Sequence, residues 1–179
     1  MLDRNGIKHV RLHAIGLSDL EETLTLNVLE NHLGMATLAP VSEGGHLRVT
    51  GRVDVPVRVG DRVLEPDGRP LTFVKVDVEG FEVRVLRGLR ETLTKNLPVV
   101  VTEVIPEWLE RAGASVGQLV ELMRGMGYEG FGLGTRRKAL RHQLKLVRLG
   151  DAKSLPAGVS DVVWVPREGR LRDRLEIPR

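Results

Sequence analysis

The stretch Phe73 to Leu89, FVKVDVEGFEVRVLRGL, decides the fold. It begins inside LTFVKVDV (71–78), a run nearly continuous in apolar and β-branched residues. Such a run marks a central strand of a parallel sheet, covered on both faces. The period then changes. Phe81, Val85, Leu89 and Leu93 recur every four residues with Leu86 beside them, while Glu82, Arg84, Arg87, Arg90 and Glu91 fall on the other faces. That spacing predicts an amphipathic helix. Between strand and helix stand two carboxylates, Asp77 and Glu79, at the end of an otherwise buried strand.

Downstream, LPVVVTEV (97–104) predicts the next buried strand, with Pro98 at its first residues, where no central ladder bond is lost. Ser115 has the position of an N-cap for VGQLVELMRGMG, which carries Val116, Leu119, Val120 and Met123 on one face and Gly125 and Gly127 near its end. YEGFGL, LKLVRL and SDVVWVP predict the last three strands, and REGRLRDRLEIPR a polar tail. Upstream, VRLHAIGLS (10–18) reads as a strand and ETLTLNVL as a half-exposed strand of period two. In LRVTGRVDVPVRV, Gly51 and Pro56 interrupt the β-branched residues, which predicts short antiparallel or edge strands.

The β-α-β-α-β order predicts an α/β fold with a largely parallel sheet and its final strands antiparallel at the edge. Ligands of such sheets bind beyond the carboxyl ends of the strands. If the strands ending near Asp77 and Glu103 are parallel neighbours, Asp77, Glu79 and Glu103 converge on one rim. The ordinary alternative is that the acids cap helices, each stabilised by roughly 0.3–1 kcal/mol from the helix dipole.

Composition narrows the function classes. The chain has 179 residues, enough for one domain with a real core, and is 41% hydrophobic and 28% charged, as a folded globular chain is. It contains no cysteine, which excludes disulfides, zinc thiolates and a thiol nucleophile. No run reaches the ~18 apolar residues of a membrane span, and LDRNGIKHV after Met1 lacks the apolar core of a signal peptide, so a cytoplasmic chain is expected. The 27 basic residues are interleaved with 24 acidic ones, and aromatic platforms are few, so neither membrane nor nucleic acid is an expected partner.

Other features invite functional readings. His9 and His13 are four apart, but His13 is expected within a strand and no third ligand accompanies them, so no metal site is assigned. TRRKALRHQ gathers Arg136, Arg137, Lys138, Arg141 and His142, read as a solvated turn. Trp108 either edges an acceptor pocket after Glu103 or packs. No Ser, His and Asp arrangement suggests a nucleophilic triad.

FVKVDVEGFEVRVLRGLRETL followed by PVVVTEV resembles the FkbM family of S-adenosylmethionine-dependent methyltransferases. Lys75, Asp77, Glu79, Gly80, Glu82, Leu86 and Gly88 match the family's acidic block, and Glu103 the acid ending its next strand. VRLHAIGLSD and MGYEGFGL also have counterparts, so the resemblance runs from about Val10 to Leu133. Gly60, Asp61 and Arg62 stand where the family has Leu-Asp-Asp.

The resemblance implies a Rossmann-like class I methyltransferase sheet. Its first two strands and helices, with the donor-binding Gly-rich turn, have no counterpart in this chain before Val10. An N-terminally truncated domain is therefore expected, with residues 1–166 a partial Rossmann-like methyltransferase domain and 167–179 a polar tail. Two stretches imitate the missing parts. GFGLGT (130–135) looks like a Gly-rich loop but follows the acidic block, and VLEP (63–66) looks like a ribose-binding strand end but reads as a turn.

The implied activity is methyl transfer from S-adenosylmethionine to a hydroxyl of a small molecule or glycan, with the isolated chain inactive. Asp77 and Glu79 would orient the acceptor or take its proton, and Glu103 would line the acceptor side; cofactor-binding residues are left unassigned. The alternative is a non-catalytic binding or dimerising module, a homodimer closing the exposed sheet edge.

Overall fold

A computed structural model describes residues 5–30, 36–41, 48–64, 68–138, 141–150 and 154–174, with the backbone alone described at 135–138, 141–145 and 174. Among these residues the fold is mixed α/β, with two sheets and several helices.

The first sheet is built from β1 (Gly16–Ser18), β2 (Glu22–Leu29), β3 (Ala36–Thr37) and β4 (Val49–Val59), in the order β1-β4-β2-β3. β2 lies antiparallel to β4 from Glu22↔Val57 to Leu29↔Val49. The expected interruptions do not break β4. Gly51 and Pro56 lie within one 11-residue strand, and β1 joins β4 only from Val57, leaving Pro56 an open flank. The strand expected over 10–18 shrinks to Gly16–Ser18. Val10 and Leu12 are 48% and 78% exposed, so their alternation has no covering layer to select it.

After the short helix α1 (Gly60–Val63), the second sheet takes β5 (Phe73–Val76), β6 (Val99–Glu103), β7 (Tyr128–Lys138), β8 (Arg141–Arg148) and β9 (Asp161–Pro166), in the order β5-β6-β9-β7-β8. Here the largely parallel sheet needs correction. β5 and β6 are parallel, but among the described residues the other three pairings of this sheet are antiparallel, and β9 lies inside the sheet rather than at its edge.

The single helix expected after β5 is two, α2 (Glu82–Gly88) and α3 (Arg90–Asn96), meeting at Leu89. The break follows Gly88, where a Cβ would stand 2.0 Å from the Ser18 carbonyl oxygen, so glycine lets α2 lie directly on β1. Asp61 of α1 caps α3, its carboxylate accepting the N–H groups of Glu91 and Thr92 at 2.9 and 2.8 Å. α4 (Pro106–Arg111), too short to leave a period in the sequence, follows β6. α5 (Val116–Gly125) begins as expected, the Ser115 hydroxyl accepting the Gln118 N–H at 3.2 Å.

The main core joins Leu86, Leu89 and Leu93 to Val100, Leu119, Met123 and Trp164. Tyr128 is fully buried in it, its hydroxyl donating to the Leu93 carbonyl at 3.2 Å, and burial pushes the phenol pKa upward. A second cluster of Leu29, Ala39, Phe81 and Trp108 seats the first sheet against the turn before α2. No helix among the described residues is long and apolar enough to cross a membrane. The expected loose tail is tied at its start, with Arg167 N–H donating to the Gly127 carbonyl and a short 3-10 turn at Arg172–Arg174.

Candidate functional site

The parallel register Val76↔Thr102 brings the ends of β5 and β6 level, so Asp77, just past β5, stands beside Glu103, the last residue of β6. The turn into α2 brings in Glu79. Oxygens of Asp77, Glu79 and Glu103 all lie within 4.8 Å of one another, so the three acids singled out in the sequence do converge. β9 runs the opposite way and starts at this rim, which pairs Asp161 with Glu103 and adds a fourth acid that the linear pattern did not point to.

The acids are not equivalent. Lys75 Nζ donates to Asp77 Oδ2 at 2.8 Å, and this bond above all holds the Asp77 carboxyl below its usual range. The same bond raises the Lys75 ammonium. Glu103 is pushed up to about 7, first by the hydrogen bond it shares with Asp77, then by desolvation and the charges of Asp77, Glu79 and Asp161. Asp77 and Glu103 thus titrate as a pair, and near neutrality Glu103 is divided between its protonated and its ionised form. Such a pair at an exposed rim can orient a hydroxyl and take its proton at physiological pH. The three oxygens are also spaced to meet one cation, but a cluster of acids alone does not assign a metal.

The turn itself is built for close approach. Gly80 has φ +104°, and a Cβ there would lie 2.4 Å from the Trp108 carbonyl oxygen. Only glycine fits. Glu79 adopts φ +49°, the left-handed region that side chains other than glycine seldom occupy. Its carbonyl accepts the Thr37 hydroxyl at 2.9 Å, a brace from the first sheet. Beneath the turn, Glu82 is 2% exposed, although its spacing predicts a solvated face. Its Oε1 accepts the N–H groups of Val78 at 3.3 Å and Gly80 at 3.2 Å.

The remaining features fall elsewhere. Trp108 is buried, with the Arg111 guanidinium 4.7 Å from its ring centroid, and packs against Gly80. GFGLGT belongs to β7, where a Cβ on Gly130 would strike Trp164 at 2.6 Å and one on Gly132 would strike Val159 at 2.8 Å. Gly130 and Gly132 make room for these neighbours. His9 and His13 are exposed and lie outside any strand. The basic residues 136–138 and 141–142 form ladder positions of the β7–β8 hairpin, from Arg136↔Gln143 to Lys138↔Arg141. Of VLEP, Val63 ends α1 and Leu64 follows, while Glu65 and Pro66 lie outside the described residues.

An open depression of about 450 Å³ lies between α2 and the α4–α5 turn, lined by Asp19, Glu22, Arg84, Arg87, Gly113 and Gln118 among others. Arg84 is held there by Asp19 and Glu22, and none of the three rim acids lines it.

No curated protein matches the chain. A solved structure, the methyltransferase FkbM from Methylobacillus flagellatus KT at 2.20 Å resolution, matches with a TM-score of 0.43 and 14% identity over 91% of this chain. The chain spans 30% of the length of that one. Residues 3–129, well over half of the sequence, match the methyltransferase FkbM domain, and the chain belongs to that family.

Proposed function

We propose that this chain carries the acceptor side of an S-adenosylmethionine-dependent methyltransferase that methylates a hydroxyl oxygen of a small molecule or glycan. The observation that carries the reading is the Asp77–Glu103 pair on the rim, with Glu103 pushed up to about 7. A base for a hydroxyl works best when its pKa lies near the working pH. The hydroxyl proton would pass to the ionised Glu103 of the carboxyl pair, while the donor would give up its methyl carbon with cleavage of the carbon–sulfur bond and leave as S-adenosylhomocysteine. Lys75 keeps Asp77 ionised, and Asp77 orients the hydroxyl.

The donor would supply the methyl group, and the glycine-rich stretch of β7 is not its loop, since Gly130 and Gly132 stand against Trp164 and Val159.

Two measurements test this. Asp77→Asn and Glu103→Gln in the full-length protein are each expected to slow methyl transfer by about 10²-fold or more. Unchanged transfer in both overturns the acid assignment. Calorimetric titration with S-adenosylhomocysteine tests the donor separately, and absence of binding by the full-length protein removes the methyltransferase reading.

One observation favours a second reading, a dimerising module without catalysis: β5 is an edge strand and its Phe73 is 56% exposed. Sedimentation equilibrium distinguishes it, because a monomer at assay concentrations leaves that reading without its partner.

A further inference from the structure

We infer that Glu82 is a positioning residue, which holds the Asp77–Gly80 turn in the conformation that brings Asp77 and Glu79 to Glu103. One oxygen, Oε1, accepts from the Val78 and Gly80 amides, the peptide groups on the far sides of Asp77 and Glu79. Between those two amides the backbone passes through φ +49° at Glu79, and directly after the second it turns through φ +104° at Gly80. A left-handed non-glycine residue persists only where its surroundings over-determine it. Glu82 constrains the turn from below, and Thr37 fixes the Glu79 carbonyl from the first sheet.

The energetics favour positioning over simple stabilisation. Glu82 is 2% exposed, and among the described residues its Oε2 has no hydrogen-bond partner. Two hydrogen bonds at 3.2 and 3.3 Å return less than the desolvation of a carboxyl with one oxygen unmet. An apolar residue of similar volume would avoid that desolvation but would leave the Val78 and Gly80 amides without their acceptor. What the carboxyl provides is one acceptor that spans two amides, and no aliphatic side chain can do that.

This inference rests on the reading of Asp77 and Glu103 as the acceptor-side acids, so its test needs no methyl transfer. The probe is the titration of Glu103, followed by carbon-13 NMR of the side-chain carboxyls in glutamate-labelled protein. The charged groups facing Glu103 are Lys75 from β5, Asp77 and Glu79 from the turn and Asp161 from β9. None of them is substituted in either variant.

Glu82→Asp keeps the charge but withdraws the oxygen by one methylene, so the turn relaxes and the Glu103 midpoint falls from about 7 toward the ordinary carboxylate range. Glu82→Gln keeps a carbonyl acceptor in place, and the midpoint remains where it was. A purely structural Glu82 would lower the melting temperature of both variants and leave Glu103 alone. Equal midpoints in Glu82→Asp and Glu82→Gln, whether shifted or not, overturn the positioning role. A wild-type Glu103 that titrates as an ordinary carboxylate instead overturns the reading of the acid pair.

Discussion

Two glycine-bearing stretches, VEGFE at 78–82 and GFGLGT at 130–135, look alike as candidates for a ligand loop and turn out to be opposites. In the first, Gly80 sits at φ +104° with the Trp108 backbone against its bare face, and the turn around it aims carboxylates at a neighbouring strand end. In the second, the glycines lie in an ordinary strand and leave space for Trp164 and Val159. Glycine is required at both places. At Gly80 the need is for a backbone conformation that serves the site, and at Gly130 it is for volume that serves the core.

Replacing Gly80 by alanine should produce the largest loss. The substitution adds strain in a left-handed region to a clash with a backbone oxygen that cannot swing aside, together about 3 kcal/mol or more. Thermal unfolding checks the magnitude, and the Glu103 titration checks the meaning, because the midpoint should fall with the turn. Gly130→Ala comes second. Trp164 is fully buried and its Nε1 donates to Thr102 at 3.0 Å, so the ring cannot retreat from the new methyl. Overpacking of that kind costs about 2 kcal/mol. Here the melting temperature should drop while Glu103 titrates as in the wild type. A Glu103 shift in Gly130→Ala equal to that in Gly80→Ala would erase the distinction.

The same contrast explains what could be read from the sequence. β6 and α5 were legible because each buries a face whose period survives in the residues, and Ser115 announced its cap. By contrast β5, expected as a central strand covered on both faces, is the edge strand of its sheet with Phe73 56% exposed, because a continuous apolar run does not say how many neighbours a strand has. The convergence of Asp77, Glu79 and Glu103 needed one assumption, that β5 and β6 are parallel neighbours, and the pairing of Val76 with Thr102 meets it. Glu82 was misplaced because amphipathic spacing treats every charged residue as solvated, whereas this one finds its partners in the turn just before it. Asp161 was invisible because insertion of an antiparallel β9 beside β6 is a matter of topology and leaves no local mark. The apolar alternation at Val10 and Leu12 suggested a strand, yet a period selects a strand only where a neighbouring layer covers it.

Ser115→Ala sharpens the comparison from outside both stretches. The hydroxyl caps α5 and touches neither the acid turn nor Trp164, so its loss should lower stability by about 1 kcal/mol. The Glu103 midpoint should not move. Should Ser115→Ala shift it, stability loss alone would disturb the pair, and the titration would no longer report on the turn.

The smallest effect concerns pH. Glu103 holds its proton more tightly in the folded chain, at about 7 against an ordinary 4.5, so the folded state binds more protons than the unfolded one between those values. Its contribution to stability is fully present below the ordinary value and is lost as pH rises through about 7. Asp77, shifted the other way, loses its contribution only as pH falls below 3.8, outside that window. Burial raises the Glu82 carboxyl with the same sign as Glu103, so some slope should persist after Glu103 is removed. Glu103→Gln should therefore flatten, without abolishing, the decline in melting temperature across that interval. Introduced into Glu82→Asp, the same substitution should change the slope less, because the proton-sharing geometry has already been lost. If its effect is equal in the two backgrounds, the acid turn and the Glu103 proton are independent, and the turn differs from the glycine strand of β7 in shape alone.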